Sequence, residues 1–198
     1  MMNGTHRWLV ALAVCVFSGA VSAQADLIDV LRQGGYHLFF RHAITDGEDP
    51  RKVNPPNETL ANCASQRLLN DAGRAQARQI GLTITQLGIP VGDVYASPFC
   101  RCEETARLAF ARGVTVDWLL AQRGRGMPRL NQVLRAIPST GGFTPTPTGK
   151  NNVYVGHAIT FSEGLVGPEF GRHVLREGEA LVIAPGEPPR VLGKIRFY

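Results

Sequence analysis

The chain lacks an apolar stretch of the roughly 20 residues that a bilayer-spanning helix needs, and the longest candidate, Trp8 to Val21, falls short of it. Stable membrane insertion is therefore not expected. Cysteine is scarce, four in 198 residues, and Cys100 and Cys102 stand one residue apart rather than at a zinc-type spacing. Dense Lys/Arg clusters are missing as well, with 21 basic against 16 acidic residues, so a nucleic-acid partner is not expected. No convincing carboxylate cluster could hold a metal ion, and there is no internal repeat or low-complexity tract. What remains is a chain long enough for one α/β domain with a buried core.

The N-terminus has the character of an export signal. His6 and Arg7 precede the apolar stretch, and small residues follow in Val21-Ser22-Ala23. This pattern predicts a secretory signal peptide over residues 1–23, with cleavage after Ala23 or, nearly as well, after Ala25. Residues 24–198 are then the mature domain, with a periplasmic or secreted location and a net charge of +4 once Arg7 is gone. That mild positive balance suits a small anionic substrate. In an oxidising compartment Cys63 is expected to pair with Cys100 or Cys102, leaving one thiol over.

Local patterning alternates helices and strands. "DLIDVLRQGG" predicts a short helix with Asp26 as N-cap and Gly34-Gly35 as its stop, and "YHLFFRH" a buried strand. Residues 44–62, rich in Asp, Asn and Pro, predict a long loop. Asn70 can cap a helix carrying Ala77, Ile80, Ile84 and Leu87, ended by Gly88 and Pro90. "DVYASP" is a second strand, and "CRCEETARLAFARG" a third helix that stops at Gly113. "VTVDWLL" and "NVYVGH" read as strands, and "ALVIAPG" pairs with "RVLGKIRFY" through a turn at Gly186 to Pro189. Between them "LNQVLRAI" predicts a partly helical excursion within loop 121–151. The fold class is α/β: a three-layer sandwich with a mostly parallel sheet and helices on both faces.

In such sheets ligands bind beyond the carboxyl ends of the strands. Three predicted strands end on basic or titratable residues: Arg41-His42, then Arg101 in the first turn of the following helix, then His157. Four convergent groups of this kind repel one another unless a polyanion neutralises them. Phosphate fits, because guanidinium offers forked donors to its oxygens and a helix N-terminus adds partial positive charge. A neutral imidazole is also a competent nucleophile toward phosphorus, with the other three groups holding the charge on the transferred phosphoryl. No metal or other cofactor is required by this chemistry. Phe39, Phe40 and Trp118 are expected in the core, and Arg123, Arg125 and Arg129 form a basic loop.

"FFRHAITD", "YASPFCRCEETA" and "VYVGHAITFSEG" resemble, in order and context, the three signature blocks of the histidine phosphatase superfamily, the phosphoglycerate-mutase-like fold. "LREGEALVIAPG" is similar to its late strand entry, and the likeness covers residues 26 to 198 and is close to small exported bacterial members. The resemblance implies that His42 becomes phosphohistidine, that Arg41, Arg101 and His157 form the phosphate pocket, and that Thr45 is a weaker ligand. It also implies a disulfide between Cys63 and Cys100, and a small phosphorylated substrate hydrolysed as a phosphate monoester without a metal ion.

Two departures stand out. Ala43 replaces the usual Gly after the nucleophile, and "VDWLLAQRGRG" lacks the Glu with which many members protonate the leaving oxygen; nor does His157 precede an Asp. Candidate acids are Glu104, Asp117, Glu163, Asp46 and Glu48. A phosphate-binding protein of the same fold without turnover, and phosphomutase-type transfer, are the alternative readings.

Overall fold

The structure is a computed structural model that describes residues 18–46, 60–120, 132–135, 149–157 and 175–198. Six strands form one sheet: β1 His37–Arg41, β2 Val91–Ala96, β3 Val114–Thr115, β4 Asn151–Gly156, β5 Ala180–Ala184 and β6 Arg190–Ile195, in the order β3-β2-β4-β1-β5-β6. β1, β4, β2 and β3 run parallel, whereas β5 is antiparallel to β1 and to β6. β4 and β5 are buried along their whole length. Continuous apolar runs such as Leu38-Phe39-Phe40 are what strands covered on both faces require.

Side-chain alternation splits the core in two. Leu38, Phe40, Val153, Val155 and Val182 point to the face covered by the three helices α1 Ser18–Gln33, α2 Asp71–Gln86 and α3 Cys100–Phe110. Phe39, Tyr154, Leu181 and Ile183 point to the other, where Leu119, Val133, Leu134 and Leu175 meet them. There the described cover is helical but short: a 3-10 turn at Asp117–Leu119 and one helical turn at 132–135.

Most predicted boundaries are found. The Asn70 side chain accepts from Gly73 N at 2.8 Å, capping α2, and Gly88 at φ +68° follows its end. α1 differs, because it starts at Ser18 and passes through Asp26, which is therefore no N-cap. The Ala-rich "VSAQA" has the propensity to carry the helix upstream. At the end of α3 the left-handed residue is Ala111 at φ +56°, two positions before the expected Gly113. "VTVDWLL" yields only the two residues of β3, at the sheet edge; the chain then turns so that Trp118 packs on Tyr95 and Tyr154, with ring centroids 5.9 and 6.0 Å away. Among the described residues no helix is long and apolar enough to cross a membrane.

One contact sets how close α2 approaches the end of β1. A Cβ on Gly73 would lie 1.9 Å from the Ile44 carbonyl oxygen, inside any permitted contact. The same backbone accepts from Asn70 N at 3.2 Å, while Ile44 N donates to Gln76 Oε1 at 3.1 Å. The N-terminus of α2 is thereby seated against the residue two beyond His42. Gly73→Ala is expected to destabilise the fold by about 1–3 kcal/mol through overpacking, read as a lower urea midpoint; an unchanged midpoint would show that α2 does not sit this close.

Candidate active site

The parallel pairing of β1 with β4 places Arg41 opposite Gly156, so Arg41-His42 and Gly156-His157 leave the sheet side by side. On the other flank of β4, β2 ends with Ala96 opposite Val155, and Ser97 N donates to the Val155 carbonyl at 2.9 Å. Pro98 and Phe99 then turn the chain into α3, with Arg101 in its first turn. Arg41, His42, Arg101 and His157, expected to converge, are brought to one edge of the sheet.

His42 is 1% exposed and its Nδ1 lies 2.9 Å from its neighbour's carbonyl, Ala43 O. A carbonyl only accepts, so Nδ1 carries the proton and the lone pair is left on Nε2. The Ala43 backbone is held in turn: Ala43 N donates to Thr105 Oγ1 at 3.0 Å, and that hydroxyl donates to the Arg101 carbonyl at 2.7 Å. Thr105 thus ties the loop after His42 to α3.

The His157 ring meets that of His42 with centroids 5.6 Å apart at 68°. Its Nδ1 is 3.4 Å from Arg101 Nη2 and its Nε2 is 3.1 Å from Ser97 Oγ. Because guanidinium only donates, Nδ1 is the acceptor and Nε2–H donates to Ser97. Phe99 packs edge-on against His157 at 5.0 Å and lies under the Arg101 guanidinium at 4.4 Å. The buried thiol of Cys102 also approaches His157, 3.7 Å from Nε2, and its pKa is pushed up to about 12 by burial.

Both imidazoles are held neutral. Burial drives the His42 pKa well below its ordinary value; the Ala43 hydrogen bond opposes this, and His157, Arg101 and Arg41 add to it. Burial, followed by Arg101, Arg67 and Arg41, brings His157 down to about 3. A dianion entering between these groups reverses the sign of the local field.

Six further residues belong to the site: Arg67, Gln76, Ser97, Cys102, Thr105 and Glu177. Arg67 adds its charge at His157. It is carried on a segment fastened to α3 by the disulfide between Cys63 and Cys100 and by Gln66 Oε1, which accepts from Cys100 N at 2.8 Å. Cys102 is the free cysteine of the described residues. Ser97 and Thr105 lie inside "YASPFCRCEETA" and Glu177 inside "LREGEALVIAPG", stretches that carry the resemblance without giving these residues a role, and Gln76 lies on α2 with no motif of its own. Glu177 arrives because β5 is antiparallel: its entry, Gly178 and Glu179, bonds back to Arg41 and His42 at the carboxyl end of β1.

The remaining expected residues are dispersed. Thr45 donates its hydroxyl to Glu177 Oε1 at 2.8 Å. Glu104 is paired with Arg74 Nε at 2.9 Å, between α2 and α3. Asp46 and Asp117 are exposed, and Glu48 and Glu163 lie outside the described residues, as do Arg123, Arg125 and Arg129. Among the described residues no three His, Cys, Asp or Glu side chains cluster as a metal site.

The neutral histidines give the fold an acid sensitivity of defined sign. Below the ordinary His value of 6.5 the unfolded chain takes up a proton that folded His157, at about 3, does not. The unfolded state then binds more protons, so stability falls as pH drops from 6.5 toward 3. Urea unfolding at about pH 7 and about pH 4.5 should show this loss in the wild type and a smaller one in His157→Asn; equal losses would show that His157 is not buried in its neutral form.

A family model of the histidine phosphatase superfamily, branch 1, matches residues 38–121. Among curated protein sequences none matches the chain. The fold is similar to that of the putative phosphohistidine phosphatase SixA from Agrobacterium tumefaciens, at 16% identity and TM-score 0.54 over 81% of this chain and 96% of that one. It is similar to the protein histidine phosphatase SixA complexed with tungstate, at 11% identity and TM-score 0.56 over 82% and 97%. A phosphoserine phosphatase variant from Entamoeba histolytica, in complex with phosphoserine, superposes at 12% identity and TM-score 0.51 over 80% and 95%. The matched stretch contains the strand ends and the helix that deliver Arg41, His42 and Arg101, and over these residues the chain is similar to the histidine phosphatase superfamily.

Proposed function

We propose that this protein is an exported phosphatase that hydrolyses phosphate monoesters through a phosphohistidine at Nε2 of His42, without a metal ion. The observation that carries this reading is the hydrogen bond from His42 Nδ1 to Ala43 O, which leaves the lone pair on Nε2 at a ring already kept neutral by its surroundings. The Nε2 pair forms the bond to phosphorus while the ester P–O bond breaks and its pair leaves on oxygen. Arg41, Arg101 and His157 hold the charge on the phosphoryl oxygens, with Arg67 beside them. Water then attacks phosphorus, and the N–P pair returns to Nε2.

Glu104 is engaged by Arg74, which leaves Asp46, Glu48 and Glu163 as the expected proton donors, with solvent-exposed Asp117 beside them. A leaving group of low basicity, or the nitrogen of a phosphoramidate, makes a smaller demand on such a donor. The solved relatives include proteins described as phosphohistidine and phosphoserine phosphatases, so P–N and P–O bonds are both sensible test substrates. The disulfide supports an oxidising compartment, and with it the signal peptide read over residues 1–23.

Brief mixing with a radiolabelled phosphate ester is expected to leave acid-labile, base-stable label on the wild type and none on His42→Ala. Turnover of an activated aryl phosphate should fall by about a thousandfold or more in that variant and be unaffected by chelator. Label that persists on His42→Ala, or activity lost to chelator, would overturn the reading.

A further inference from the structure

Glu177 brings a negative charge to a site otherwise built from arginines and neutral imidazoles. Its Oε1 accepts from Thr45 Oγ1 at 2.8 Å, stands 3.5 Å from Arg41 Nη2 and lies 4.0 Å from His42 Nδ1. Its Oε2 is 3.4 Å from Thr45 N. The backbone is fixed too, because the Glu177 carbonyl accepts from Gln76 Nε2 at 3.1 Å and from the Tyr198 hydroxyl at 3.2 Å. The side chain is 20% exposed, so it is screened only in part. These contacts hold a carboxylate on the Nδ1 side of the nucleophile, away from the nitrogen that meets phosphorus.

We infer that Glu177 is a positioning residue that raises the reactivity of His42 by stabilising the positive charge its ring acquires on phosphorylation, an inference that rests on the phosphohistidine reading above. When the Nε2 pair bonds phosphorus and the leaving oxygen departs with the P–O pair, Nδ1 keeps its proton and the ring becomes a phosphorylated imidazolium. Hydrolysis returns the N–P pair to Nε2 and discharges the ring. The groups facing His42 divide by sign. Arg41 from β1 and Arg101 from α3 are cations that oppose the ring charge, and His157 from β4 is a neutral ring. The Ala43 carbonyl offers the Nδ1 proton a dipole, whereas Glu177 offers a full charge. At this distance such a charge alters the equilibrium even where water screens it partly. Through Thr45 and Arg41 the same carboxylate fixes the chain on either side of His42.

The test compares wild type, Glu177→Gln and Thr45→Val with an activated aryl phosphate over a pH series, together with the amount of phosphohistidine in acid-sensitive quench experiments. Glu177→Gln keeps an oxygen for Thr45 but removes the charge. Its kcat/KM is expected to fall about tenfold or more, with slower phosphohistidine formation. Its acid limb should also move to lower pH, because without the anion His42 is harder to protonate. Thr45→Val keeps the charge and should retain the wild-type acid limb. If Glu177→Gln fails to fold, Glu177→Asp withdraws the carboxylate by one methylene and should displace the acid limb in the same direction by less. An acid limb that does not move in the folded charge variant, or equal losses in both variants without a shift, overturns the inference and makes Glu177 a tether alone. Absence of phosphohistidine in the wild type would instead remove the reading on which it rests.

Discussion

Arg41 stands opposite Gly156 in the parallel pairing of β1 and β4, and the next amide, His42 N, donates to the Gly156 carbonyl at 2.9 Å. That bond continues the ladder one step beyond the last strand residue. It sets the height at which both histidines leave the sheet, which is why two imidazoles from residues 115 positions apart come to lie with centroids 5.6 Å from each other. A shift of one residue in this register would turn Phe39 and Phe40 to the wrong faces, so the two halves of the core enforce the site geometry as well as the fold.

Gathering arginines around buried imidazoles is costly, and the fold offsets the cost locally. Burial keeps both histidines uncharged, which removes part of the repulsion. Glu177 sets a carboxylate against Arg41, and the Phe99 face receives Arg101. The disulfide and Gln66 hold the Arg67 segment to the start of α3, so a further cation is kept near the pocket by covalent and polar ties. Such an arrangement prepares a place for a dianion, because much of the ordering is complete before one arrives.

The supports of His42 and the two residues after it come from four parts of the chain. Thr105 of α3 holds Ala43 N, Gln76 of α2 holds Ile44 N, Gly178 before β5 donates to His42 O, and Gly156 of β4 accepts from His42 N. Gln76 bonds both Ile44 and Glu177, so α2 and the β5 entry are joined through one side chain. The residues after the strand are therefore a loop only in name, since their backbone groups are bonded through Ile44 and Thr45.

Much of this was legible in the sequence, for reasons of chain locality. Apolar runs located β1, β4 and β5, Asn70 and Gly88 bounded α2, and three strand-end blocks named Arg41, His42, Arg101 and His157. Local chemistry could not say where α1 begins, because a helical Ala-rich stretch overrides the cap offered by Asp26, nor that Trp118 would pull "VDWLL" out of the edge strand. Glu104 shows the limit more sharply: it sits in the signature helix, yet its carboxylate faces Arg74 of another helix. By itself the sequence determined the fold class and the residues that carry charge at strand ends, since periodicity and turn residues act between neighbours. Only the tertiary structure decided that β5 runs antiparallel to β1, and strand direction alone brings Glu177 to the far side of His42.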